Sequence, residues 1–291
     1  INEAGGVLVE AAGVRLYPIQ VAEKGYSVYR LTVRGSSGHG SQPRPYNAAV
    51  RAAEVIRRLA EPGPVRLTPT MRTFFDGLGA ALESHRAAAT TGGAGPGRAA
   101  AAALRAFTSG DDRALEVALR GECSPVYARA ARAVVRDTIS PNVVRAGVKY
   151  NVIPGEATID LDTRRLPGTD EAALRGHIEA VLGPELMAHT SIELLIDADG
   201  VEAPTDGRIY PILADAVRAA DPEAIPLPVL VPYATDAKHL IKLDVPAYGF
   251  SPLQQDDSYF DRWHGADERV SIAGLRWGLP VLYDAVRRFC G

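Results

Sequence analysis

The chain has 291 residues, 46% of them hydrophobic, and a formal net charge of −3 from 32 basic and 35 acidic side chains. That composition suits a globular protein of one large or two ordinary domains and excludes a disordered or fibrous chain. The charge balance gives no ground for nucleic-acid or anionic-membrane binding, and no run approaches the ~20 uninterrupted apolar residues of a membrane helix.

Two cysteines, Cys123 and Cys290, are too few for a disulfide framework or a cysteine zinc site. They fit a reducing compartment, so a cytoplasmic location is expected. The chain opens INEAGGVLVE at Ile1. It shows no charged start, apolar core and cleavage site of a signal peptide. It reads as the interior of a domain, so sequence upstream of Ile1 is expected.

In chain order, Val7 to Glu10 and Val14 to Tyr17 read as strands, and Ser27 to Arg34 alternates as a strand ending at Gly35. GSSGHGSQPRP (35–45) is a loop by its Gly, Ser and Pro content. Tyr46 to Leu59 spaces its apolar residues for a helix that Pro62 and Pro64 close. Residues 65–132 are alanine-rich and mostly helical, with a loop at TTGGAGPG (90–97), and carry no chemical motif. Val134 to Ile139 and Val143 to Lys149 read as two strands joined by SPN. Ala157 to Asp162 is a half-buried strand, Thr169 to Leu182 a helix capped at Thr169, and Ser191 to Ile196 a strand. Beyond residue 200 the pattern becomes α/β. Tyr210 to Ala220 is a helix, Leu227 to Val231 a strand, Ala237 to Leu243 a short helix and Val245 to Phe250 a strand. Ile272 to Phe289 is a long amphipathic helix.

The order strand, helix, strands, helix, strand over 28–196 predicts an α+β sandwich of the split βαβ kind, inserted into an α/β domain. The expected boundaries are 1–27 and 197–291 for the α/β domain and 28–196 for the insert, which carries the helical stretch at about 65–132.

Several residues could carry chemistry. His39 and His264 lie in loops beside glycines, where an imidazole can approach a ligand or metal; a helix-start position is the plainer reading of His264, with Asp267 or Glu268 as cap. Glu3 precedes two near-adjacent glycines and could bind metal at the carboxyl edge of an α/β sheet, or be a turn acid. Asn151 and the pair Arg164 and Arg165 could bind an amide or carboxylate. Neighbours on a strand point to opposite faces, so at most one arginine reaches a site. Thr235 and Asp236 sit where a strand enters a short helix, as a cap or a ligand contact. No phosphate loop, dinucleotide fingerprint, nucleophile elbow or H-E-x-x-H is present.

Taken in order, AEKGYSVYRLTVRGSSGHGSQP, RDTISPNVVRAGVKYNVIPGEATIDLDTRRLPG, YATDAKHL, YGFSP and WHGADERVS resemble the co-catalytic zinc amidohydrolases. That family groups aminoacylases, acetylornithine deacetylase, succinyl-diaminopimelate desuccinylase and the glutamate and vacuolar carboxypeptidases. The INEAGG opening and the helical insertion are most similar to the carboxypeptidase S branch. The resemblance implies a partial phosphorylase/hydrolase-like α/β catalytic domain with an inserted ferredoxin-like lid and dimerisation domain.

By the same resemblance Glu3 and His264 match ligands of two different zinc ions, with cobalt or manganese as alternatives. Ala4 stands where the family usually has glycine. His39 matches a lid histidine that reaches into the partner subunit's site. Asn151 and Arg164 match lid residues that contact the substrate, and Thr235 and Asp236 a substrate-side loop. The remaining metal ligands and the glutamate base are placed upstream of INEAGG in the family. The resemblance therefore implies hydrolysis of a small peptide or N-acyl amino acid by a homodimer, with the 291 residues alone expected to be inactive. The alternative is a non-catalytic dimerising module.

Overall fold

A computed structural model describes residues 1–87, 96–120, 124–256 and 258–291. The elements run β1 (Val9–Ala11), β2 (Val14–Glu23), β3 (Gly25–Arg34), β4 (Gly38–His39), α1 (Ala48–Leu59), α2 (Pro69–Ala87), α3 (Pro96–Thr108), α4 (Ala114–Ala118), α5 (Pro125–Ala133), β5 (Thr138–Ala146) and β6 (Val152–Ile153). They continue with β7 (Glu156–Arg165), α6 (Glu171–Met187), β8 (Thr190–Ala198), β9 (Val201–Glu202), α7 (Ile209–Ala220), β10 (Ala224–Val231), α8 (Ala237–Leu240), a 3-10 turn (Ile241–Leu243), α9 (Ser258–Asp261) and α10 (Ile272–Cys290). The loop expected at 90–97 falls mostly outside the described residues; Pro96 and Gly97 open α3. Among the described residues no helix is long and apolar enough to cross a membrane.

The chain divides into two compact units. One comprises Ile1–Glu23, Val65–Val135 and Val201–Gly291, the other Lys24–Pro64 and Arg136–Gly200. The helical stretch expected inside the lid therefore groups with the first unit. The cause is apolar: Met71 and Phe75 of α2 are buried, and the Leu230 N–H of β10 donates to the Met71 sulfur at 3.4 Å.

In the first unit β2 pairs in parallel with β10 and antiparallel with β1 and β9. β2 is buried along most of its length, as a central strand must be. Pro226 and Pro228 cannot donate to a ladder, and β10 carries them at the sheet's edge. The expected strand Val245 to Phe250 does not form. Gly249 alone makes bridges, to Asn2 and Gln20, and so pins the first residues of the chain to β2. The expected helix Ala237 to Leu243 is one turn of α8 followed by the 3-10 turn, which ends at Asp244 with φ +55°.

In the second unit the sheet order is β5-β7-β3-β8, every pairing antiparallel, the βαββαβ pattern of a ferredoxin-like sandwich. Alternation decides which side is core. Tyr29, Leu31 and Val33 of β3 and Ala157, Ile159 and Leu161 of β7 meet Ala52, Val55 and Leu59 of α1 and Leu174, Ile178 and Leu182 of α6. The opposite face carries a charged ladder, with Arg30 donating to Asp160 at 2.7 and 2.9 Å. The two strands expected around SPN are one strand, β5. Pro141 has no N–H, and the register slips between Pro141 and Val143 as a bulge. α6 is capped by Asp170, which accepts the Ala173 N–H, while the expected cap Thr169 instead donates to Asp137.

Candidate active-site segments

Beyond the ends of β3 and β7 the chain narrows into the two-stranded ribbon β4–β6. The Gly35 N–H donates to Gly155 O at 2.9 Å, His39 pairs with Val152, and the Gly40 N–H donates to Asn151 O at 2.8 Å. The ribbon thereby sets the backbone of Asn151 opposite Gly40, next to His39, although His39 and Asn151 are 112 positions apart in sequence. Both side chains are exposed. The Ser41 backbone N–H donates to His39 Nδ1 at 3.2 Å, and the Ser41 hydroxyl lies 2.7 Å from the same nitrogen. A ring nitrogen that accepts an N–H carries no proton, so in the neutral ring Nε2 holds the hydrogen.

Arg164 is not part of that group. It lies at the other end of β7, paired with Tyr26, eight residues from Glu156 and so about 26 Å along the strand at ~3.3 Å per residue. Its guanidinium donates to both oxygens of Asp162, at 2.7 and 3.0 Å, and lies 4.2 Å from the centre of the Tyr26 ring. Arg165 points to the other face, fully buried, and donates to Asp197 at 2.8 Å and Asp199 at 3.2 Å. As alternation requires, only Arg164 of the two is left on an open face.

In the first unit the carboxyl ends of the parallel strands β2 and β10 gather the remaining candidates. Glu3 is exposed on a loop in which Ala4, Gly5 and Gly6 have φ of +64°, +67° and +71°. A β-carbon on Gly5 would overlap the Gly249 carbonyl, so glycine is required there twice over. His264 is also exposed, with φ +59°, and its N–H donates to Glu268 at 3.2 Å. The cap of the following helix is Ser271, which accepts the Gly274 N–H, and not Asp267 or Glu268. Positive φ at two non-glycine residues is backbone strain of the kind that gathers at functional sites. Tyr233 links the two loops: the charge of Glu3 acts on it, and its ring packs edge-on 5.9 Å from Trp263, the neighbour of His264. Burial first, then Glu3, pushes the Tyr233 phenol up.

Thr235 is buried within a polar network, which leaves Asp236 as the exposed member of the pair. The Thr235 hydroxyl and N–H both donate to Glu23, at 2.5 and 2.9 Å, and the hydroxyl accepts from Asn2 at 2.8 Å and from the Ala237 N–H at 3.2 Å. Sequence reasoning passed over Glu23, which reads as an ordinary polar strand end within AEKG. It is fully buried, and desolvation raises its carboxyl above the usual range. Through Thr235 and Asn2 it ties the loop bearing Glu3 to the loop bearing Asp236.

Among the described residues no three His, Cys, Asp or Glu side chains gather as a metal site. Glu3 and His264 are two donors, short of the three or four protein ligands that zinc takes.

The chain thus combines an α/β unit with a βαββαβ unit that bears a histidine on a ribbon. The chain belongs to the M20 peptidase family: residues 21–190 match its peptidase dimerisation domain. It is 24% identical over 269 residues to the probable carboxypeptidase S-like 2 of Dictyostelium discoideum, covering 92% of this chain and 48% of that protein. It is 27% identical over 160 residues to the human N-fatty-acyl-amino acid synthase/hydrolase PM20D1, covering 53% of this chain and 31% of that one. Among solved structures the fold is similar to an M20 family metallo-carboxypeptidase from Sulfolobus solfataricus, with a TM-score of 0.56 at 13% identity over 93% of this chain and 59% of the other. Human carnosine dipeptidase 1 gives 0.55 at 12% identity over 92% and 55%. The chain spans about half the length, or less, of the curated relatives it matches.

Proposed function

We propose that this chain supplies the lid and part of the catalytic domain of a metal-dependent amide hydrolase that cleaves a small peptide or an N-acyl amino acid. The observation that carries the reading is the ribbon, which holds the exposed imidazole of His39, its Nδ1 accepting the Ser41 N–H, across from the strand that Asn151 precedes. A fixed donor aimed at the oxygen on which charge develops is the commonest large contribution to amide cleavage. His39 donates to that oxygen, Asn151 holds the amide or carboxylate, and Arg164 offers the N–H groups that Asp162 leaves free to a substrate carboxylate.

A small substrate cannot touch both ends of a strand about 26 Å long. His39 and Asn151 therefore serve one site and Arg164 another, which a homodimer reconciles: each site takes the histidine of its partner subunit. The resemblance implies two zinc ions, with cobalt or manganese as alternatives. The described residues do not hold such an ion by themselves, so the metal needs donors beyond Glu3 and His264.

His39→Ala in the longer protein is expected to lower kcat by about 10²–10³, the usual loss for one oxyanion donor, with KM and metal content little changed. An unchanged kcat would remove the role. The two-donor count favours a second reading, a dimerising module without catalysis. Elemental mass spectrometry of the longer protein separates the two: close to two metal equivalents per chain supports the enzyme, and none together with no hydrolysis supports the module.

A further inference from the structure

Neither 35–53 nor 138–155 contains an Asp or Glu, although the chain averages one acid in about eight residues. These two stretches build the ribbon, and they carry the cations Arg44, Arg51, Arg145 and Lys149. Two of the four are engaged within the unit. Arg51 donates to Arg34 O at 2.8 Å and lies 4.8 Å from the centre of the Tyr46 ring, and Arg145 lies 3.5 Å from Asp160. Arg44 and Lys149 are exposed, and neither pairs with an acid among the described residues. The backbone brings both close to His39. The Arg44 Nε is 2.8 Å from the point where a β-carbon on Gly38 would stand, and the Lys149 carbonyl accepts the N–H of Val152, the residue paired with His39, at 3.2 Å. A ribbon with unpaired cations and no acid has a positive potential that gathers anions.

We propose that Arg44 and Lys149 select a substrate with a second negative charge, an N-acyl amino acid or small peptide whose residue at the cleaved bond has an acidic side chain. The inference rests on the hydrolase reading and deepens it. A single carboxylate is already served: in the homodimer Arg164 of one subunit takes it, and the ribbon arrives from the partner. The cations on that ribbon are additional, and a further carboxylate on the substrate matches them. Val148 and Tyr150, on either side of Lys149, are 94% and 104% exposed. Side chains so open and apolar are covered when the ribbon enters the partner's site, and the exclusion of water there strengthens the attraction between Lys149 and an anion. An apolar substrate side chain would gain from Val148 and Tyr150 but would leave both cations desolvated without a partner, which costs more than the contact returns.

Steady-state kinetics of the longer protein with N-acetylglutamate and N-acetylglutamine compares one charge at nearly constant shape. kcat/KM is expected to be at least about tenfold higher for the glutamate, as a charge-assisted hydrogen bond gives. The ratio should shrink as ionic strength rises toward about 0.5 M. Both cations are exposed, so their replacement leaves the core intact. In the double variant Arg44→Gln with Lys149→Gln the ratio is expected to fall close to unity. In the charge-conserving double variant Arg44→Lys with Lys149→Arg it should persist. Equal kcat/KM for the two substrates in the wild type, or an unchanged ratio in the neutral double variant, overturns the proposal and leaves the hydrolase reading. If neither compound is hydrolysed under any metal condition, the hydrolase reading is removed, and calorimetric titration with the same two compounds decides. Glutamate-selective binding that the neutral variant loses keeps the anion site, and equal or absent binding of the two removes it.

Discussion

Ala4 and His264 hold left-handed backbone with side chains that disfavour it, on the two loops that present the candidate metal donors. The β-carbon makes that region cost roughly 1–2 kcal/mol per residue. The two residues after Ala4 are glycines in the same region. Ala4→Gly is therefore expected to raise stability by about 0.5–1 kcal/mol after the greater flexibility of glycine in the unfolded chain is subtracted. A shift of the urea midpoint to higher concentration at constant slope would show it, and a lower midpoint would refute the strain. Asp221 makes the opposite case, a residue that stabilises through charge. Burial alone would push its carboxyl up, but donation from Arg15 at 2.9 Å and Tyr17 at 2.8 Å outweighs burial and holds it below the usual range. A depressed folded value means that the stabilisation is complete above the unfolded value near 3.9 and disappears as pH falls through the folded one. Asp221→Asn is expected to cost roughly 1.5–3 kcal/mol at pH 7. The gap from wild type should begin to narrow as pH falls below about 4 and close only below the depressed folded value, and equal destabilisation at neutral pH and below that folded value would contradict the ionic origin.

The C-terminal helix α10 sits on the 252–254 segment so closely that Gly278 and Gly274 touch backbone. A β-carbon on Gly278 would overlap the Pro252 carbonyl, and one on Gly274 the Gln254 carbonyl. Gly278→Ala should be destabilising although alanine is the better helix former, by more than the ~1 kcal/mol that propensity would return. A variant at or above wild-type melting temperature would show that the contact yields. Such close approaches explain what could be read from sequence and what could not. β3 and β7 were legible because a half-buried strand alternates, and α1, α7 and α10 because their apolar residues recur at helical spacing. The same alternation foretold that Arg164 and Arg165 would part. The ribbon β4–β6 left no trace, since two-residue strands have no period. The continuity of β5 was hidden by Pro141, which reads as a break and proves to be a bulge. The placement of 65–135 on the α/β unit depends on which surface accepts Met71 and Phe75, and no local pattern states that. Glu23 was missed because its burial is a property of Thr235 and Asn2, more than two hundred and about twenty residues away.

For the whole molecule the decisive geometry is the length of the lid sheet. His39 and Asn151 stand at one end and Arg164 at the other, so a dimer that closes each site with a partner's ribbon makes a prediction that a monomer does not. In the longer protein, His39→Ala and Arg164→Ala should each be nearly inactive alone. If the histidine acts across the interface, a mixed dimer of the two variants contains one site with neither substitution and one site with both. Unfolding and refolding an equal mixture forms mixed dimers as half of the total. Activity should then recover to about a quarter of wild type, the share expected for a symmetric dimer with one good site in half of its members. The two variants simply mixed, without exchange of subunits, should stay inactive. If both residues served the site of their own chain, every site in every dimer would carry one substitution, and refolding would restore nothing. The result therefore depends on which chain donates His39 and not on how much each residue contributes to the rate.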